Sequence, residues 1–389
     1  MLPAIKLMSI RSSSKRLAQI FARSTSSFSR RHFNVLAIET SADDTCAAVV
    51  NSSREILSNV VIKQNDVHKG YGGIHALLAI HEHMRNMPFA VKRALTEAGL
   101  DPVRDIDGVA FTRGPGMAGC LAVGCNAAKT LGLSLDKPLV GVHHMQGHAL
   151  TSILTSKDPP KYPFLTLLIS GGHTLLLLAT SNTRFKILAT TDDGAIGRCI
   201  DRVARSLGLE WGSLGPGAAL EKFVNEDPNP DISDIPPIPK VTPGRLFFSF
   251  GGYHSWMELF LKAEGGIETF DISRKRRLAR AFQSAVFGHL EEKVLLGLKW
   301  CADRDIHVQD LVVSGGVASN QYLRERLRQC LDSSAPSQAI RLVFPPPHLC
   351  TDNAAMIGWA AMHRFLAGDH DTYDILPRSK WSIEDILEA

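Results

Sequence analysis

Apolar residues along the chain form short runs separated by polar turns, and one such arrangement occurs twice. The pattern predicts a buried strand at Val35 to Thr40, a polar turn at Ser41 to Asp44 and a returning strand at Thr45 to Val50. Roughly 130 residues later the same order recurs, with strands at Phe164 to Ile169 and Thr174 to Ala179. The repeat predicts two duplicated lobes that face each other.

Helical spacing alternates with short strand-like runs in the rest of the chain, which predicts an α/β fold in two lobes. Phe89 to Ala98 has helical spacing and ends at Gly99. Ala118 to Leu133 is so rich in Ala, Gly and Cys that its backbone can lie close to a sheet or a ligand. The other predicted elements are helices at Ile196 to Leu207, Leu278 to Leu298, Asn320 to Leu331 and Asn353 to Leu366, strands at Val109 to Thr112, Leu139 to Val142 and Leu311 to Val313, and a loop with six prolines at Asp227 to Gly244.

Composition narrows the class of protein. The chain has 389 residues, of which 44% are apolar and 21% are charged, and this fits a globular enzyme of two domains. No apolar run approaches the ~18 residues of a membrane-spanning helix, so no membrane insertion is expected. The seven cysteines are odd in number and form no C-x-x-C pair, which argues against a disulfide framework or a zinc ribbon.

Charge is unevenly distributed and sets the N-terminus apart. Residues 1–33 contain seven basic residues, eight serines and no acidic residue. Leu17, Ile20 and Phe21 would give a short helix there one apolar side. This composition is typical of a mitochondrial transit peptide, with a basic tail that touches nucleic acid as the alternative. The whole chain carries a net charge of +4, so the residues after position 33 carry −3.

Two apolar strands end in the same tripeptide, Ser-Gly-Gly, at Ser170 to Gly172 and at Ser314 to Gly316. Paired glycines at a strand end let backbone N–H groups approach a phosphate or a ribose. A third glycine-rich turn, Thr112 to Gly116, precedes a helix. Together the three turns favour a nucleotide cleft over purely structural turns, although the chain has neither a P-loop nor a Rossmann fingerprint.

Two histidines and three aspartates are candidates for the chemistry. His144 and His148 are spaced i, i+4, which places both imidazoles on one helix face and suits a divalent metal. The residues between them lack the glutamate of an H-E-x-x-H metalloprotease. Asp352 is a candidate third ligand, with an N-cap of the last helix as the alternative. Asp43 and Asp44 are either turn residues or carboxylates for proton transfer.

Three other polar clusters have weaker chemical interpretations. His81-Glu82-His83 resembles a ligand set, but side chains at i and i+2 diverge on a helix, so it is assigned to the surface. The basic runs Arg274 to Arg280 and Arg324 to Arg328 lie on predicted helix faces. Such runs are either solvated or in contact with RNA phosphates.

Five motifs occur in an order that resembles the universal tRNA threonylcarbamoyladenosine transferase family, over about Asn34 to Trp381. The resemblance is specific because all five motifs are present and follow one another in the family's order. They are Ala37-Ile38-Glu39-Thr40-Ser41-Ala42-Asp43-Asp44-Thr45, Val142-His143-His144-Met145-Gln146-Gly147-His148, Leu168-Ile169-Ser170-Gly171-Gly172-His173-Thr174, Ser314-Gly315-Gly316-Val317-Ala318-Ser319-Asn320 and Cys350-Thr351-Asp352-Asn353.

The resemblance implies a fold and a reaction. The fold would be two ribonuclease-H-like lobes of the actin-like ATPase and sugar kinase superfamily, with a nucleotide cleft between them. The lobes are expected at 34–155, with 352–376 packed back on it, and at 156–351, with 227–244 inserted. The reaction would transfer the threonylcarbamoyl group of threonylcarbamoyl-AMP, supplied by a separate synthase, to N6 of the adenosine 3′ of the anticodon. The substrates would be tRNAs that read codons beginning with A.

The resemblance also implies roles for single residues. One divalent ion per subunit, zinc or iron, would be held by His144, His148 and Asp352. Asp43 and Asp44 are the expected catalytic carboxylates because of their place in the turn and not through the resemblance, and one of them would accept the proton. With the leader, the family implies a location in the mitochondrial matrix, and a homodimer is expected. The implied substrate-binding residues are Leu168, Ile169, Ser170, Gly171, Gly172, Asp201, Gly215, Ser319 and Asn320.

Four segments depart from the family's pattern, while the metal triad is intact. S-C-D-E-T is Ser-Ala-Asp-Asp-Thr, so Asp44 is one methylene shorter than glutamate. G-E-x-x-D-K is Gly197 to Arg202, where Arg198 replaces a carboxylate. Y-P-G-G-P becomes Trp211 to Pro216, and F-S-G-L-K becomes Phe250 to His254. Two other functions stay open: a metalloprotease built on H-x-x-x-H, and a non-catalytic, nucleotide-driven clamp like actin.

Overall fold

Two five-stranded sheets organise the chain. The computed structural model describes residues 32–68, 71, 73–211, 215–227, 230–334 and 339–388. Residues 1–31 of the predicted leader lie outside this range, as do 212–214 of the departing segment at Trp211 to Pro216 and 228–229 of the proline-rich loop. The described part of that loop, 230–244, contains no helix or strand.

The first sheet is built from the first half of the chain. Its strands are β1 Asn34–Glu39, β2 Thr45–Asn51, β3 Ile56–Ile62, β4 Gly108–Gly114 and β5 Leu139–His143. They lie in the order β3-β2-β1-β4-β5. The β1–β2 and β2–β3 pairs are antiparallel, whereas β4 is parallel to both β1 and β5.

The second sheet repeats this topology. Its strands are β6 Phe164–Ile169, β7 Thr174–Ala179, β8 Phe185–Ala189, β9 Asp310–Ser314 and β10 Arg341–Val343. They lie in the order β10-β9-β6-β7-β8, with the hairpin strands antiparallel and β6, β9 and β10 parallel. Strand by strand, β6 to β10 take the places of β1 to β5. The predicted duplication is confirmed.

Eleven helices of the described residues cover these sheets, and none of them is long and apolar enough to cross a membrane. Three short 3₁₀ turns accompany them, at Ile267–Thr269, Gly316–Ser319 and Ile383–Glu388. The helices are α1 Asn65–His68, α2 Ala76–Ala98, α3 Ala118–Ser134, α4 His144–Thr155, α5 Ile196–Ser206, α6 Pro216–Asn225, α7 Gly251–Ala263, α8 Ile272–Ala302, α9 Gln321–Ser334, α10 Pro347–Cys350 and α11 Ala354–Leu366.

Helix α2 begins earlier than the sequence predicts. The predicted helix began at Phe89, directly after Pro88, a residue that lacks a backbone N–H and normally interrupts a helix. In the structure α2 passes through Pro88 and starts at Ala76. A buried face that extends on both sides of the proline, including Ala79, Met87 and Ala94, explains this. Burial of one helix face outweighs the hydrogen bond lost at the proline.

Helix α11 closes the first sheet, although it lies two hundred residues further along the chain. It packs against β1, β2, β4 and β5. Gly358 allows the close approach, because a Cβ at this position would lie 3.2 Å from Cβ of Ala37. Leu168 and Leu177 of the second sheet belong to the same apolar cluster as Ala37 and the buried face of α11. The two sheets therefore share a core.

The parallel strands of both sheets end next to this shared core. In the first sheet they end at Glu39, Gly114 and His143, and in the second at Ile169 and Ser314. Ligands of open α/β sheets bind beyond the carboxyl ends of such strands. The candidate chemistry lies at these ends.

Candidate active site

A group of two buried histidines and one partly buried aspartate lies where β5 passes directly into α4. His144 is the first residue of α4 and His148 follows one turn later, so their rings lie on the same face. Nε2 of His148 lies 3.1 Å and Nε2 of His144 lies 3.5 Å from the same Oδ1 of Asp352. The structure thus brings together the three predicted metal ligands, whose ligand atoms all lie within 4.8 Å of one another. This group can hold a metal ion.

Asp352 is not the N-cap of α11, which was its alternative interpretation. The side chain of Asn353 caps this helix and accepts a hydrogen bond from the backbone N–H of Met356 at 3.0 Å. The backbone carbonyl of Asp352 accepts a hydrogen bond from Sγ of Cys46 at 3.7 Å, which ties the segment to β2. The Asp352 carboxylate is therefore free to face the two histidines.

Glu39 is a site residue to which the sequence analysis gave no role. It ends β1 and is fully buried. Its Oε2 lies 3.2 Å from Nδ1 of His144 and accepts a hydrogen bond from the hydroxyl of Thr112, while its Oε1 accepts the backbone N–H of Ser41 at 2.5 Å. A carboxylate behind a metal-binding imidazole fixes its orientation and tautomer. The only sign of this role in the sequence is that a charged residue ends the apolar run Val35 to Ile38.

The two carboxylates determine the charge of His144. Burial disfavours the imidazolium, but Glu39 and Asp352 outweigh this and raise the pKa of His144 to about 9. Burial alone would raise the pKa of Asp352, yet His144 and His148 hold it well below its usual range. Without a metal, a proton on His144 supplies the positive charge that this pair of acids requires.

Asp43 and Asp44 lie in the turn between β1 and β2, where the charge of Asp352 acts on both. Burial, followed by the charge of Asp352, raises the pKa of Asp43. Burial, the charge of Asp43 and that of Asp352 raise the pKa of Asp44 to about 7. These are not ordinary solvated turn residues, because an exposed aspartate is ionised well below pH 7. A carboxyl group with this pKa can both accept and release a proton near neutral pH.

His83 holds this turn from α2, so its assignment to the surface was wrong. Its side chain is fully buried, whereas His81 is exposed, as the predicted divergence of i and i+2 side chains requires. Nε2 of His83 lies 3.0 Å from the carbonyl oxygen of Ala42, and Nδ1 lies 2.8 Å from the hydroxyl of Thr45. Because a carbonyl only accepts, Nε2 carries the proton and Nδ1 accepts from Thr45.

The two Ser-Gly-Gly turns lie side by side because β6 and β9 pair, with Leu168 opposite Ser314. Gly315 has φ +101°, and a Cβ on it would lie 2.3 Å from the carbonyl oxygen of Ile169. Only glycine can therefore occupy position 315, where the second turn passes close to the end of β6. In the first turn, Oγ of Ser170 accepts the backbone N–H of His173 at 3.0 Å. The side chains of Leu168 and Ile169 are buried, so only their backbone is available to a ligand.

The first turn leaves room for a ligand and reaches the metal-binding group. Gly171 and Gly172 are exposed, and a Cβ on either would meet no atom within 4 Å. The ring of His173 lies 6.1 Å from that of His144, centroid to centroid. Burial and the charges of His144 and His148 lower the pKa of His173 to about 4. A neutral His173 thus joins the turn to the histidine pair, a role that its place in the motif did not reveal.

The remaining predicted substrate contacts lie on the helices beyond these turns. Asp201 is on α5, and a Cβ on Gly217, at the start of α6, would lie 3.3 Å from its Oδ1. Gly215 precedes α6 with φ +85°, and a Cβ there would meet no atom within 4 Å. Oδ1 of Asn320 caps α9 through the N–H of Leu323 at 3.0 Å. Gly217 is therefore the glycine next to Asp201.

Ser319 uses its hydroxyl within its own turn. Its Oγ donates to the carbonyl oxygen of Gly316 at 2.7 Å. This bond closes the 3₁₀ turn Gly316–Ser319, which contacts β6, β9 and α5. Ser319 thereby shapes the second glycine turn.

The basic run Arg274 to Arg280 does not form an open cationic surface. Arg274 pairs with Glu264, Arg276 with Glu226 and Arg277 with Asp234. Arg280, the last arginine of the run, is buried and only 5% exposed. The interpretation of this run as an RNA contact is not supported by the structure.

The sequence profile of the tRNA N6-adenosine threonylcarbamoyltransferases matches residues 55–359, which is more than half of the chain. The chain belongs to this family. It is therefore an enzyme, a transferase of tRNA threonylcarbamoyladenosine formation, and the metalloprotease and clamp alternatives are not favoured.

Relatives of the transferase extend over most of the chain. A Schizosaccharomyces pombe protein named "tRNA N6-adenosine threonylcarbamoyltransferase, mitochondrial" is 39% identical, covering 92% of this chain and 89% of its own length. The Bartonella tribocorum transferase is 38% identical over 90% and 95% of the two chains. An Arabidopsis thaliana protein with a "probable" mitochondrial transferase name is 36% identical over 88% and 74%.

Solved structures support the fold of the transferase. HypF of T. kodakarensis matches with a TM-score of 0.52 at 14% identity, over 87% of this chain and 48% of the HypF chain. Full-length HypF in its phosphate- and nucleotide-bound form matches with a TM-score of 0.50 at 13% identity, over 86% and 46%. Together with the duplicated sheets, this confirms two ribonuclease-H-like lobes of the actin-like ATPase type.

The raised pKa of Asp44 makes stability depend on pH. With a pKa of about 7 in the folded protein against an ordinary value of 3.8, its stabilising contribution is complete below pH 3.8 and lost as the pH rises through about 7. Asp44→Asn stays uncharged, so we expect a free energy of unfolding at pH 8 about 2 kcal/mol higher than in the parent. This is half of what the full shift would give, because the side chain is partly exposed.

The measurement is urea denaturation with a chelator present, since a bound metal would change the pKa. At pH 4 the two proteins should differ little. The control is Asp66→Asn on α1, where the aspartate is exposed. Equal stability of parent and Asp44→Asn at pH 8 would contradict the assignment.

Proposed function

We propose that this chain transfers the threonylcarbamoyl group of threonylcarbamoyl-AMP to N6 of the adenosine 3′ of the anticodon. The substrates are mitochondrial tRNAs that read codons beginning with A. The main evidence for this function is that His144, His148 and Asp352 lie together next to the turn Ser170 to Gly172. The lobes are proposed to be 34–155 with 352–376, and 156–351 with the insertion 227–244.

The residues present fit a divalent metal, one per subunit. Two imidazoles and one carboxylate form a donor set that zinc and iron accept. Glu39 stands behind His144 at 3.2 Å from Nδ1, as expected behind a metal ligand. The bound ion would supply positive charge for the phosphate and the acyl oxygen of the donor.

The glycine turns are proposed to hold the adenylate. Oγ of Ser170 accepts the backbone N–H groups of Gly172 and His173, which fixes the shape of the turn. The exposed backbone of Gly171 in this turn is suited to a phosphate or a ribose. The second turn, at Gly315 and Gly316, extends the same edge. The further substrate contacts proposed are the backbone of Leu168 and Ile169 and the residues Asp201, Gly215, Ser319 and Asn320.

Acyl transfer requires one proton to leave the adenine amine. A bond forms between N6 and the carbamoyl carbon, the bond from that carbon to the phosphate oxygen breaks, and AMP departs. We assign the proton to Asp44, with Asp43 as its neighbour and partner. The raised pKa of Asp44, about 7, matches this role. Loss of activity in the Asp44→Asn variant, with a more stable fold, would separate this role from a structural one.

His144→Ala tests the proposed site directly. We expect the variant to lose the bound metal and at least ~10³-fold in transfer rate while staying folded, because the metal and its ligands are proposed to stabilise the transition state. Metal content is measured by mass spectrometry of the purified protein, and modified nucleoside by mass spectrometry of digested tRNA.

The control is His81→Ala, which removes an exposed histidine of α2. It should keep both metal and activity. A metal-free His144→Ala protein with full activity would overturn the proposed site.

The leader is proposed to direct the chain to the mitochondrial matrix. Residues 1–33 carry seven basic residues and no acidic one, and two relatives bear mitochondrial names. A fluorescent reporter that carries residues 1–33 should enter the matrix. With all seven basic residues changed to glutamine it should stay in the cytosol, and equal distribution of the two reporters would refute the proposal.

A homodimer is proposed through the outer helices of the first lobe. A groove of about 1030 Å³ lies between α2 and α3. Bulky side chains of α2, such as Ile80 and Met84, line one wall, and small residues of α3, such as Gly119 and Ala122, line the other. A two-fold axis would place the bulky wall of one copy against the small wall of the other, so the surface is complementary to itself.

Met84→Glu tests this assembly. Met84 is 63% exposed in the single chain, and a charge there would be buried at the dimer interface. Sedimentation equilibrium should show a dimer for the parent and a monomer for the variant. Leu259→Glu on α7, where the leucine is 68% exposed, is the matched control and should leave the dimer intact. A monomeric parent would rule the proposal out.

A further inference from the structure

We infer that the exposed edge of α5, formed by Arg198, Arg202 and Arg205, binds backbone phosphates of the tRNA next to the active site. The inference rests on the proposed function, because it names where the substrate RNA is held. It places the contact on one helix of the second lobe and not on the basic run of α8.

The three arginines form one row on α5. Their spacing of four and three residues places them on one side of the helix over two turns, a length of about 10 Å. All three are exposed. Asp201 lies within the same row, three residues after Arg198 and four before Arg205. The row therefore runs along the side of α5 that carries one proposed nucleotide contact.

These guanidinium groups are available to a ligand. Of the residues that the structure describes, none places a carboxylate within the 4.0 Å of an ion pair with any of the three. Arg205 lies 5.8 Å from the ring centroid of Trp211, and an aromatic ring does not neutralise its charge. Arginine donors that are not bound to a carboxylate are well matched to phosphate oxygens.

The carboxylates around α5 are engaged elsewhere. Asp193 accepts hydrogen bonds from Oγ of Ser249 and from the backbone N–H groups that open α7. Glu258 pairs with His254 and accepts from Ser206. Asp201 is half-buried, and burial raises its pKa, with Arg205 acting against this shift at a distance. The row keeps a net positive charge.

The position of α5 connects the row to the site. The backbone N–H of Gly197 donates to the carbonyl oxygen of Ser170 at 3.2 Å, and a Cβ on Gly197 would lie 2.8 Å from the amide nitrogen of Gly171. Arg198 is the next residue. An RNA phosphate bound by Arg198 would therefore lie beside the turn that is proposed to hold the donor.

Most arginines of the other basic clusters lack this property. On α8, Arg274, Arg276 and Arg277 are paired and Arg280 is buried. On α9, Arg326 forms two hydrogen bonds with Glu291, and Arg324 donates to the carbonyl of Ala318 and lies over the ring of Phe344. These arginines stabilise the fold. Since the chain after residue 33 carries −3, tRNA binding depends on local unpaired cations such as those of α5.

The family's motif carries glutamate at the position of Arg198, so Arg198→Glu introduces a residue that this backbone position accepts. We expect the double variant Arg198→Glu/Arg202→Glu to bind an unmodified tRNA substrate about 10-fold more weakly at moderate salt. The slope of log K against log salt should decrease in magnitude by about 1 to 2, as expected for the loss of two phosphate contacts. The KM for tRNA should rise with kcat changed less than about 2-fold, and the affinity for AMP should be unchanged.

Arg274→Glu/Arg277→Glu is the matched control. It makes the same change of charge at two arginines that are paired with Glu264 and Asp234, and it should leave the salt slope unaltered. Arg198→Lys/Arg202→Lys should restore most of the binding, because the charge is kept. Thermal unfolding of each variant verifies that the fold is intact.

An unchanged tRNA affinity and salt slope in the folded double glutamate variant would overturn the inference. An equal loss in Arg274→Glu/Arg277→Glu would do the same, because binding would then follow net charge and not this row. Failure of the proposed function has a different signature, namely a parent protein that binds tRNA with the expected salt slope but forms no modified nucleoside.

Discussion

The buried contact between Glu39 and His144 is the constraint on which the rest of the site depends. Glu39 ends β1, Thr112 lies near the end of β4, and His144 follows β5, so one carboxylate joins three parallel strands at their carboxyl ends. A buried carboxylate is costly unless it is paired and hydrogen-bonded. The fold satisfies this requirement only when all three strands are in register. The position of His144 is thus set by the sheet itself, and Asp352 reaches it from the segment that precedes α11.

The second lobe meets this rigid edge through backbone and not through charge. The close passage of Gly315 over Ile169 lets two glycine turns lie next to each other, and His173 extends from the first of them towards His144. The division of labour follows from chemistry. Side chains around the first sheet form the group that can hold a metal ion, whereas the second lobe presents backbone N–H groups that suit a phosphate and a ribose. Acyl transfer from an adenylate needs both sets.

Much of this arrangement is predictable from the sequence because it is local. The duplicated hairpins follow from alternating runs of apolar and polar residues, and the pairing of His144 with His148 follows from helical spacing. Glu39 and His83 could not be given their roles in this way, because their partners are distant in the chain and their burial depends on how β1 and α2 pack. The run Arg274 to Arg280 is basic in sequence, but its ion-pair partners come from segments that only the fold brings near.

The packing of α11 on the first sheet has a consequence for how the protein is made. The strands of that sheet are complete by residue 143, yet the helix that covers their apolar face spans 354–366. During synthesis the ribosome must add about two hundred residues before α11 can pack on this face. Contacts between such distant parts of the chain slow folding and leave apolar surface open to aggregation. Asp352 immediately precedes the same helix, so the third candidate ligand arrives with the cover. The core of the first sheet and the group of His144, His148 and Asp352 are therefore completed together, late in the synthesis of the chain.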